Sequence, residues 1–377
     1  MPSKCLTVSS LLMILLLLGC TSRKKILYIY GWAGYFPPEL LKAFQEETGI
    51  EAIYDTYESE EILETDLCME NSYDVVIITA WPSFARTTKA KLFHPLSKEL
   101  IPNFKYIDPT FLARISRIDV NHRYGVPYLF GSVGLGLNLE KVSDIPLKEI
   151  ATWGLVFDLT LVKLLSSRRI YLLDNAKDVF QAVLLYLGKN PCSTDKGVWR
   201  QAYDYLKKIR PFITRFQNAR QEDNLLAQEA AVLQGFSDNI ALASFQGRHY
   251  RPLINIAYVV PKEGVMMTVD MMAIPKRAAH VEAAHKFINF VLRPQNMAAI
   301  SNRLKTANTS SHSHPWILPE LLKNKEIFPS KETLKKFHGD FLPSIELTRY
   351  ISDLWLNLME EGSADLPVLD SVAPNSL

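Results

Sequence analysis

The strongest constraint on the fold is an alternation close to the N-terminus. Ile26-Leu27-Tyr28-Ile29-Tyr30 is β-branched and aromatic over the length of one strand, and Gly31 stops it. Pro37-Pro38-Glu39 opens a helix, because proline is tolerated in a first helical turn. Leu40, Leu41 and Phe44 form its apolar stripe and Gly49 is its stop. A second strand spans Ile50 to Tyr54, and a helix follows near Glu60 to Glu70. Asp74-Val75-Val76-Ile77-Ile78 is a third strand without polar alternation, so both its faces are buried. Strand, helix, strand, helix, strand predicts a parallel α/β sheet. In such sheets ligands sit beyond the carboxyl ends of the strands. Those ends are Gly31-Trp32-Ala33-Gly34-Tyr35 and Thr79-Ala80-Trp81, and each carries a tryptophan.

Further along, Ser132-Val133-Gly134-Leu135-Gly136-Leu137-Asn138 is a glycine-interrupted strand suited to a bend between lobes. Ile170 to Leu173 is a strand running into Asp174-Asn175-Ala176-Lys177-Asp178, where a helix begins. Trp199 to Ile209 is helical, and Ala241 to Ser244 reads as a short strand. Tyr258 to Val260 and Val269 to Ile274 are strands around Pro261-Lys262-Glu263-Gly264. Ala278 to Leu292 is an amphipathic helix closed by Arg293-Pro294. Thr306 to Pro319 is polar and proline-rich, so it is expected to be loop. Helices near Glu332–Phe337 and Ser344–Met359 complete the pattern, and 361–377 reads as a flexible tail.

The first segment is an address. Lys4 precedes an unbroken apolar run from Leu11 to Leu18, too short to span a bilayer, which needs roughly 20 apolar residues. Leu17-Leu18-Gly19-Cys20 resembles a bacterial lipobox, which makes residues 1–19 a signal peptide and Cys20 the lipidated N-terminus. A plain signal cut elsewhere is the simpler alternative. Cys68 and Cys192 remain, and two cysteines are no disulfide framework. Two separate, mostly buried thiols are expected, with a single bridge open in an oxidising compartment.

The charge balance excludes some functions. There are 42 Lys+Arg against 40 Asp+Glu in 377 residues, so no excess points to nucleic acid. No Gly-x-Ser-x-Gly elbow, P-loop or His-Glu-x-x-His motif is present, and neither an enzyme nor a cofactor is called for. His312 and His314 are spaced poorly for one metal ion and read as surface.

Several stretches together resemble the bacterial spermidine/putrescine-binding proteins, the solute-binding receptors of polyamine ABC transporters. They include Tyr30 to Leu41, Thr56-Tyr57-Glu58-Ser59, Tyr73 to Val76, Gly134 to Asn138, Asp178-Val179-Phe180-Gln181, Pro261 to Gly264 and Ile288 to Pro294. No one of them is specific, but their order and spacing extend over nearly the whole chain. The resemblance implies a bilobal α/β periplasmic-binding-protein fold with the ligand cleft between two lobes. Lobe one would hold 26–131 and 275–312, and lobe two 139–266 and 327–360. Crossovers would fall at 132–138, 267–274 and 313–326. It further implies a monomeric, lipid-anchored periplasmic receptor that hands a polyamine to an ABC permease and ATPase complex.

A polyamine needs carboxylates for its ammonium groups, aromatic faces for its methylenes and a cleft that closes. By resemblance, Trp32, Tyr35 and Trp81 are aromatic contacts, Phe236 is an aromatic wall, and Thr79 and Asn218 are smaller polar contacts. Asp178 stands for a ligand acid and Asp270 for the central one. Asn175 stands where the family has an acid, Thr268 where it has a tryptophan, His338 where it has a glutamine and Gly34 where it has an acid. Each residue also has a structural reading: Trp32, Trp81 and Phe236 as core, Asp178 as a first-turn helix acid, and Asp270 as half of an ion pair. Two remaining acids suit a diamine better than a triamine. Another organic cation, a zwitterion, or a ferric ion held by Tyr35, His338 and Asp270 are the alternatives, as is a ligand sensor that does not feed a transporter.

Overall fold

The computed structural model describes residues 25–69, 73–339 and 341–364. Residues 1–24, which include the expected signal peptide and Cys20, and the end of the expected tail lie outside the described residues. Among the described residues eleven strands form one hydrogen-bonded sheet: β1 (Lys25–Gly31), β2 (Ile50–Thr56), β3 (Val75–Thr79), β4 (Gly125–Asn138), β5 (Ile170–Leu172), β6 (Arg215–Phe216), β7 (Val232–Phe236), β8 (Ile256–Val259), β9 (Val265–Ala273), β10 (Ala307–Asn308) and β11 (Phe337–His338). The order is β2-β1-β3-β9-β4-β7-β5-β6, with β8 and β10 against β4 and β11 against β9. β1 is parallel to β2 and β3, and β5 is parallel to β6 and β7. These two parallel blocks are joined by β9 and β4, which run antiparallel to each other and to their outer neighbours.

The long strand β4 makes the join. Its first part, Gly125 to Val133, pairs with β9, and its second part, Val133 to Asn138, pairs with β7 and β8. Glycine is required at the changeover. A Cβ on Gly134 would lie 2.5 Å from Tyr258 Oη and 2.7 Å from the Val259 carbonyl, so the strands approach too closely for any side chain.

The absence of alternation in β3 has a direct cause. Val75 and Ile77 pack with Leu27, Ile29, Phe44 and Phe287 on one face, while Val76 and Ile78 pack with Phe84, Phe111 and Ile115 on the other. The Pro38–Thr48 helix lays Leu40 and Phe44 on the first face, and Gly49 ends it in the left-handed conformation at φ 69°. Burying a side chain like that of Phe44 contributes roughly 1.5–3 kcal/mol.

Several expectations need correction. Ala241 to Ser244 is not a strand but part of the Ser237–Gly247 helix, and the strand is β7 just before it. A short apolar run carries no period that separates the two. Arg293-Pro294 closes one helix but also starts another, Pro294–Leu304, with proline in its first turn. The polar stretch after Thr306 is loop only in part, since it contains β10. Its Thr306, Asn308, Thr309, Ser310 and Ser313 are buried. Thr309 Oγ1 donates to Pro127 O at 2.9 Å and Thr306 Oγ1 to Phe130 O at 3.2 Å, so its polar side chains stitch it to β4. Phe337 lies in β11, not in a helix, and the last helix, Ile345–Ala364, continues past Gly362. Cys68 is exposed rather than buried; Cys192 is half-buried, its Sγ donates to Gly339 O at 3.4 Å, and the two do not pair with each other.

Candidate functional site

The site is built on the middle of the sheet. In β9 the residues are buried except Thr268 and Asp270, which share one face and are half-buried. Asp270 lies opposite Thr79 at the carboxyl end of β3, so the expected central acid and the β3 loop meet. Tyr35, in the loop after β1, donates its hydroxyl to Asp270 Oδ2 at 3.1 Å. Burial pushes the Asp270 carboxyl up to about 8, the neighbouring charges of Asp238 and Glu60 push the same way, and the Tyr35 hydrogen bond opposes them.

Asp238 and Glu60 complete an acidic cluster that the sequence did not single out. Asp238 sits in the first turn of the Ser237–Gly247 helix, directly after β7. Reading the strand at 241–244 hid its place beyond a strand end, which is the signal that marks it. Glu60 opens the Glu60–Cys68 helix and accepts from the Thr79 N–H at 3.0 Å and the Thr79 hydroxyl at 2.7 Å. Burial raises both carboxyls above their ordinary range. Among the described residues none of these three acids forms an ion pair with a Lys or Arg.

Aromatic rings surround the cluster. The hydroxyls of Tyr35, Tyr54, Tyr57 and Tyr128 are all held above the ordinary tyrosine range, by burial first and by Asp270 among the neighbouring charges. Tyr128 is fully buried and its hydroxyl has no hydrogen-bond partner among the described residues. Trp32 is half-buried, its ring 4.5 Å from that of Tyr57 and tilted to it, and its carbonyl accepts from the Tyr54 hydroxyl. Trp81 is 7% exposed and packs into the core, with its indole N–H buried and without a hydrogen-bond partner among the described residues.

Four of the remaining expected residues, Asn175, Asp178, Asn218 and Phe236, lie at the other parallel block, while Thr268, His338 and Gly34 do not. Asn175 is exposed and caps the Ala176–Tyr186 helix, its Oδ1 accepting from the Asp178 N–H at 3.1 Å. Asp178 stands 3.7 Å from Lys177 Nζ. Asn218 is exposed and donates to Asp174 O at 2.9 Å. Phe236, half-buried at the end of β7, lies opposite Val133 of β4. Thr268 lies opposite Gly131, where an added Cβ would come within 3.2 Å of its hydroxyl. His338 in β11 lies opposite Met266 of β9. Burial and the nearby Arg114 charge hold its imidazole below the ordinary histidine range. Gly34 takes φ 77°, a left-handed turn with open space around it.

His338 is thus four β9 residues from Asp270, about 13 Å at ~3.3 Å per residue, so Tyr35, His338 and Asp270 do not converge on a ferric ion. Among the described residues no three His, Cys, Asp or Glu side chains are placed to hold a metal. His312 and His314 are exposed, with rings against Tyr106 and Phe328.

Comparison with known proteins identifies the family and the fold. Residues 39–325 match the family model described as bacterial extracellular solute-binding protein. The chain is 32% identical over 321 residues to the putrescine-binding periplasmic protein PotF of Escherichia coli, covering 84% of this chain and 86% of that one. It is 31% identical over 323 residues to the putrescine-binding periplasmic protein SpuD of Pseudomonas aeruginosa, covering 83% and 86%. Among solved structures, the spermidine/putrescine ABC transporter substrate-binding protein PotD of Streptococcus pneumoniae superposes with a TM-score of 0.78 at 26% identity, covering 90% of this chain and 99% of that one. A putative spermidine/putrescine ABC transporter protein of Listeria monocytogenes gives 0.77 at 27% identity, covering 89% and 99%. The two parallel blocks joined by β4 and β9 are therefore the bilobal periplasmic-binding-protein fold. The chain belongs to the bacterial extracellular solute-binding proteins, a family of receptors rather than enzymes.

Proposed function

We propose that this protein is an extracytoplasmic receptor that captures a small polyamine at Asp270 and delivers it to an ABC importer. The observation that carries the reading is the cluster of Asp270, Asp238 and Glu60, half-buried and without a Lys or Arg partner, inside a collar of tyrosines. Buried carboxylates are costly when uncompensated, and a bound ammonium is the compensation such a cluster is built to accept. Tyrosine and tryptophan faces cover methylenes and attract the cation. Relatives named for putrescine binding support the polyamine over other small cations.

The contacts follow from this placement. Asp270, Tyr35 and Trp32 hold one ammonium and its adjoining methylenes, with Trp81 behind them and Asp238 facing from the second lobe. Thr79 acts through Glu60, since its hydroxyl is already committed there. Phe236 and Thr268 border the chain of methylenes, and Asn175, Asp178, Asn218 and His338 rim the far end. Lobe one comprises 26–131 and 275–312, lobe two 139–266 and 327–360, and the hinge the three crossovers, so that closure brings Asp238 toward Tyr35. The receptor is a monomer tethered by a lipid on Cys20. Among the described residues no helix is long and apolar enough to cross a membrane.

The test is intrinsic tryptophan fluorescence during titration with putrescine, cadaverine, agmatine, spermidine and a ferric salt. A saturable change with an amine, lost in Asp270→Ala, is expected. No response to any amine, or an unchanged response in the variant, contradicts the reading.

A further inference from the structure

A second charged surface lies at the end of the first parallel block opposite Asp270. Strand β1 enters at Lys25 and leads into the candidate site only after Gly31, and β3 likewise runs from Val75 to Thr79, which faces Asp270. Strand β9 runs the other way, so Pro275, five positions beyond Asp270, is about 16 Å from it at ~3.3 Å per residue. A cavity of about 450 Å³ opens there, between the end of the Glu60–Cys68 helix, the turn at 90–92 and the segment 275–277. Its wall includes the stacked rings of Tyr30 and Tyr73, 4.2 Å apart. Lys91, Lys276 and Arg277 line it and are exposed.

These cations are not spent on protein acids. Among the described residues the side chains of Lys91 and Lys276 have no ion pair or hydrogen bond, and Arg277 gives a 3.3 Å bond from Nη1 to Met69 O. The acids at this end are engaged. Asp66 accepts from the Tyr30 hydroxyl at 2.7 Å, Asp74 is fully buried and accepts from His280, and Glu282 pairs with Lys286 at 2.7 Å. Met69, beside Arg277, is 58% exposed, an apolar side chain among the cations. Lys25 belongs to the same end, since its charge reaches Glu282 in the Val281–Val291 helix that follows Arg277.

The chain that precedes Lys25 bears on what covers this face. Residue 20 is five Cα-to-Cα steps from Lys25, a reach of at most about 18 Å. Arg23 and Lys24, within that stretch, are cations themselves. A lipid on Cys20 therefore holds the face close to a bilayer, where an attraction that decays over about 8 Å at physiological salt can act.

We propose that this end of the first parallel block docks on an anionic lipid surface, with a phosphate headgroup seated in the cavity among Lys91, Lys276 and Arg277 and with Met69 entering the interface. The proposal rests on the reading of Cys20 as the lipidated residue. Docked in this way, the protein turns the Asp270 end away from the bilayer, where ligand reaches it freely. Each Lys or Arg close to an anionic surface is worth about a fivefold gain in partitioning, so three around one cavity are worth about 100-fold.

The test is co-sedimentation of the mature chain with vesicles, in a Cys20→Ser background so that no lipid of its own contributes. The chain is expected to bind vesicles of phosphatidylcholine and phosphatidylglycerol at low salt, to leave them in about 0.5 M salt, and not to bind phosphatidylcholine alone. Lys91→Gln, Lys276→Gln and Arg277→Gln together should lower the partitioning about 100-fold while the circular dichroism melt stays unchanged. Equal binding to both kinds of vesicle, or binding to neither, overturns the inference. So does a folded triple variant that binds as before. Glycerol phosphate that binds to the chain while the anionic vesicles do not makes the cavity a site for a soluble phosphoester and also overturns it. Should the triple variant not fold, the contrast between the two kinds of vesicle decides. Any of these failures leaves the tether and the polyamine reading standing. Failure of the tether reading is seen separately, as an unaltered chain that takes up no tagged fatty acid.

Discussion

Tyr35 and Asp270 are 235 positions apart in the chain and joined by a 3.1 Å hydrogen bond in which the phenol donates to the carboxylate. The bond ties the loop after β1 to the strand that crosses between the lobes. It also opposes the burial and the acidic neighbours that raise the Asp270 carboxyl. Tyr35→Phe removes the donor and leaves the ring. Asp270 then holds its proton to a higher pH. A hydrogen bond to a charged group contributes about 1.5–3 kcal/mol, so putrescine affinity should fall about tenfold or more at pH 7 and by less at pH 9. Equal losses at the two pH values would contradict this role for Tyr35.

Asp270 itself trades stability for binding. Its carboxyl titrates at about 8 in the folded protein against an ordinary 3.8, so the folded state holds the proton more tightly than the unfolded state does. The resulting penalty is absent below the ordinary value, grows as the pH climbs through this window and is complete above about 8. Asp270→Asn removes it. The empty variant should melt several degrees higher than the unaltered protein at pH 8, with a smaller gain at pH 5, while losing roughly 100-fold or more in amine affinity. A lower melting temperature at pH 8 would show that the carboxylate stabilises the fold, as half of a structural ion pair would.

Ligand binding should also expel a proton. At pH 7 the empty site holds Asp270 mostly protonated, and an ammonium requires the carboxylate. Affinity for putrescine should therefore rise from pH 6 to about 8 and then level off while the amine keeps its charge. Calorimetry at pH 7 in buffers of unlike protonation enthalpy reads this directly as an enthalpy that shifts with the buffer. An enthalpy independent of buffer would mean that Asp270 is already ionised.

Much of this was legible in the sequence because it depends on local pattern. The β1 to β3 alternation, the doubly buried Val75 to Ile78 and the stop at Gly49 follow from side-chain chemistry over a few residues. Asp270 carries its own local signal as well as the resemblance, since it interrupts the apolar strand Val269-Asp270-Met271-Met272-Ala273 and a buried carboxylate needs a partner. What was not legible depends on long-range pairing. Asp238 and Glu60 are ordinary helix-start acids until the sheet order brings them around Asp270. Tyr54 reads as the end of a strand, and nothing local marks Tyr57 or Tyr128 as neighbours of the Asp270 charge. Polar residues 306–313 looked like surface because nothing local says that β4 carbonyls will receive them. Ala241 to Ser244 went wrong because so short a mostly apolar run fits a strand as well as a buried helix turn.

The join between lobes makes a separate prediction. Gly134→Ala drives a methyl against Tyr258 Oη and the backbone carbonyl of Val259. Backbone cannot yield as a flexible side chain does, so the substitution should cost about 1–3 kcal/mol, seen as a lower urea midpoint with an unchanged slope. An unchanged midpoint would mean that β4 and β8 separate freely at this point.

The tether is tested apart from the ligand. Cys20→Ser should leave the protein soluble in the periplasmic fraction and unlabelled when cells are fed a tagged fatty acid. Persistent labelling would place the lipid elsewhere.

The central claim is that Asp270 receives the cation, and a crystal structure of the protein with putrescine tests it most directly. One amine nitrogen should lie about 3 Å from an Asp270 carboxylate oxygen, with its methylenes against the rings of Tyr35 and Trp32. A bound amine whose nitrogens contact other groups, with Asp270 still bonded only to Tyr35, would contradict the account.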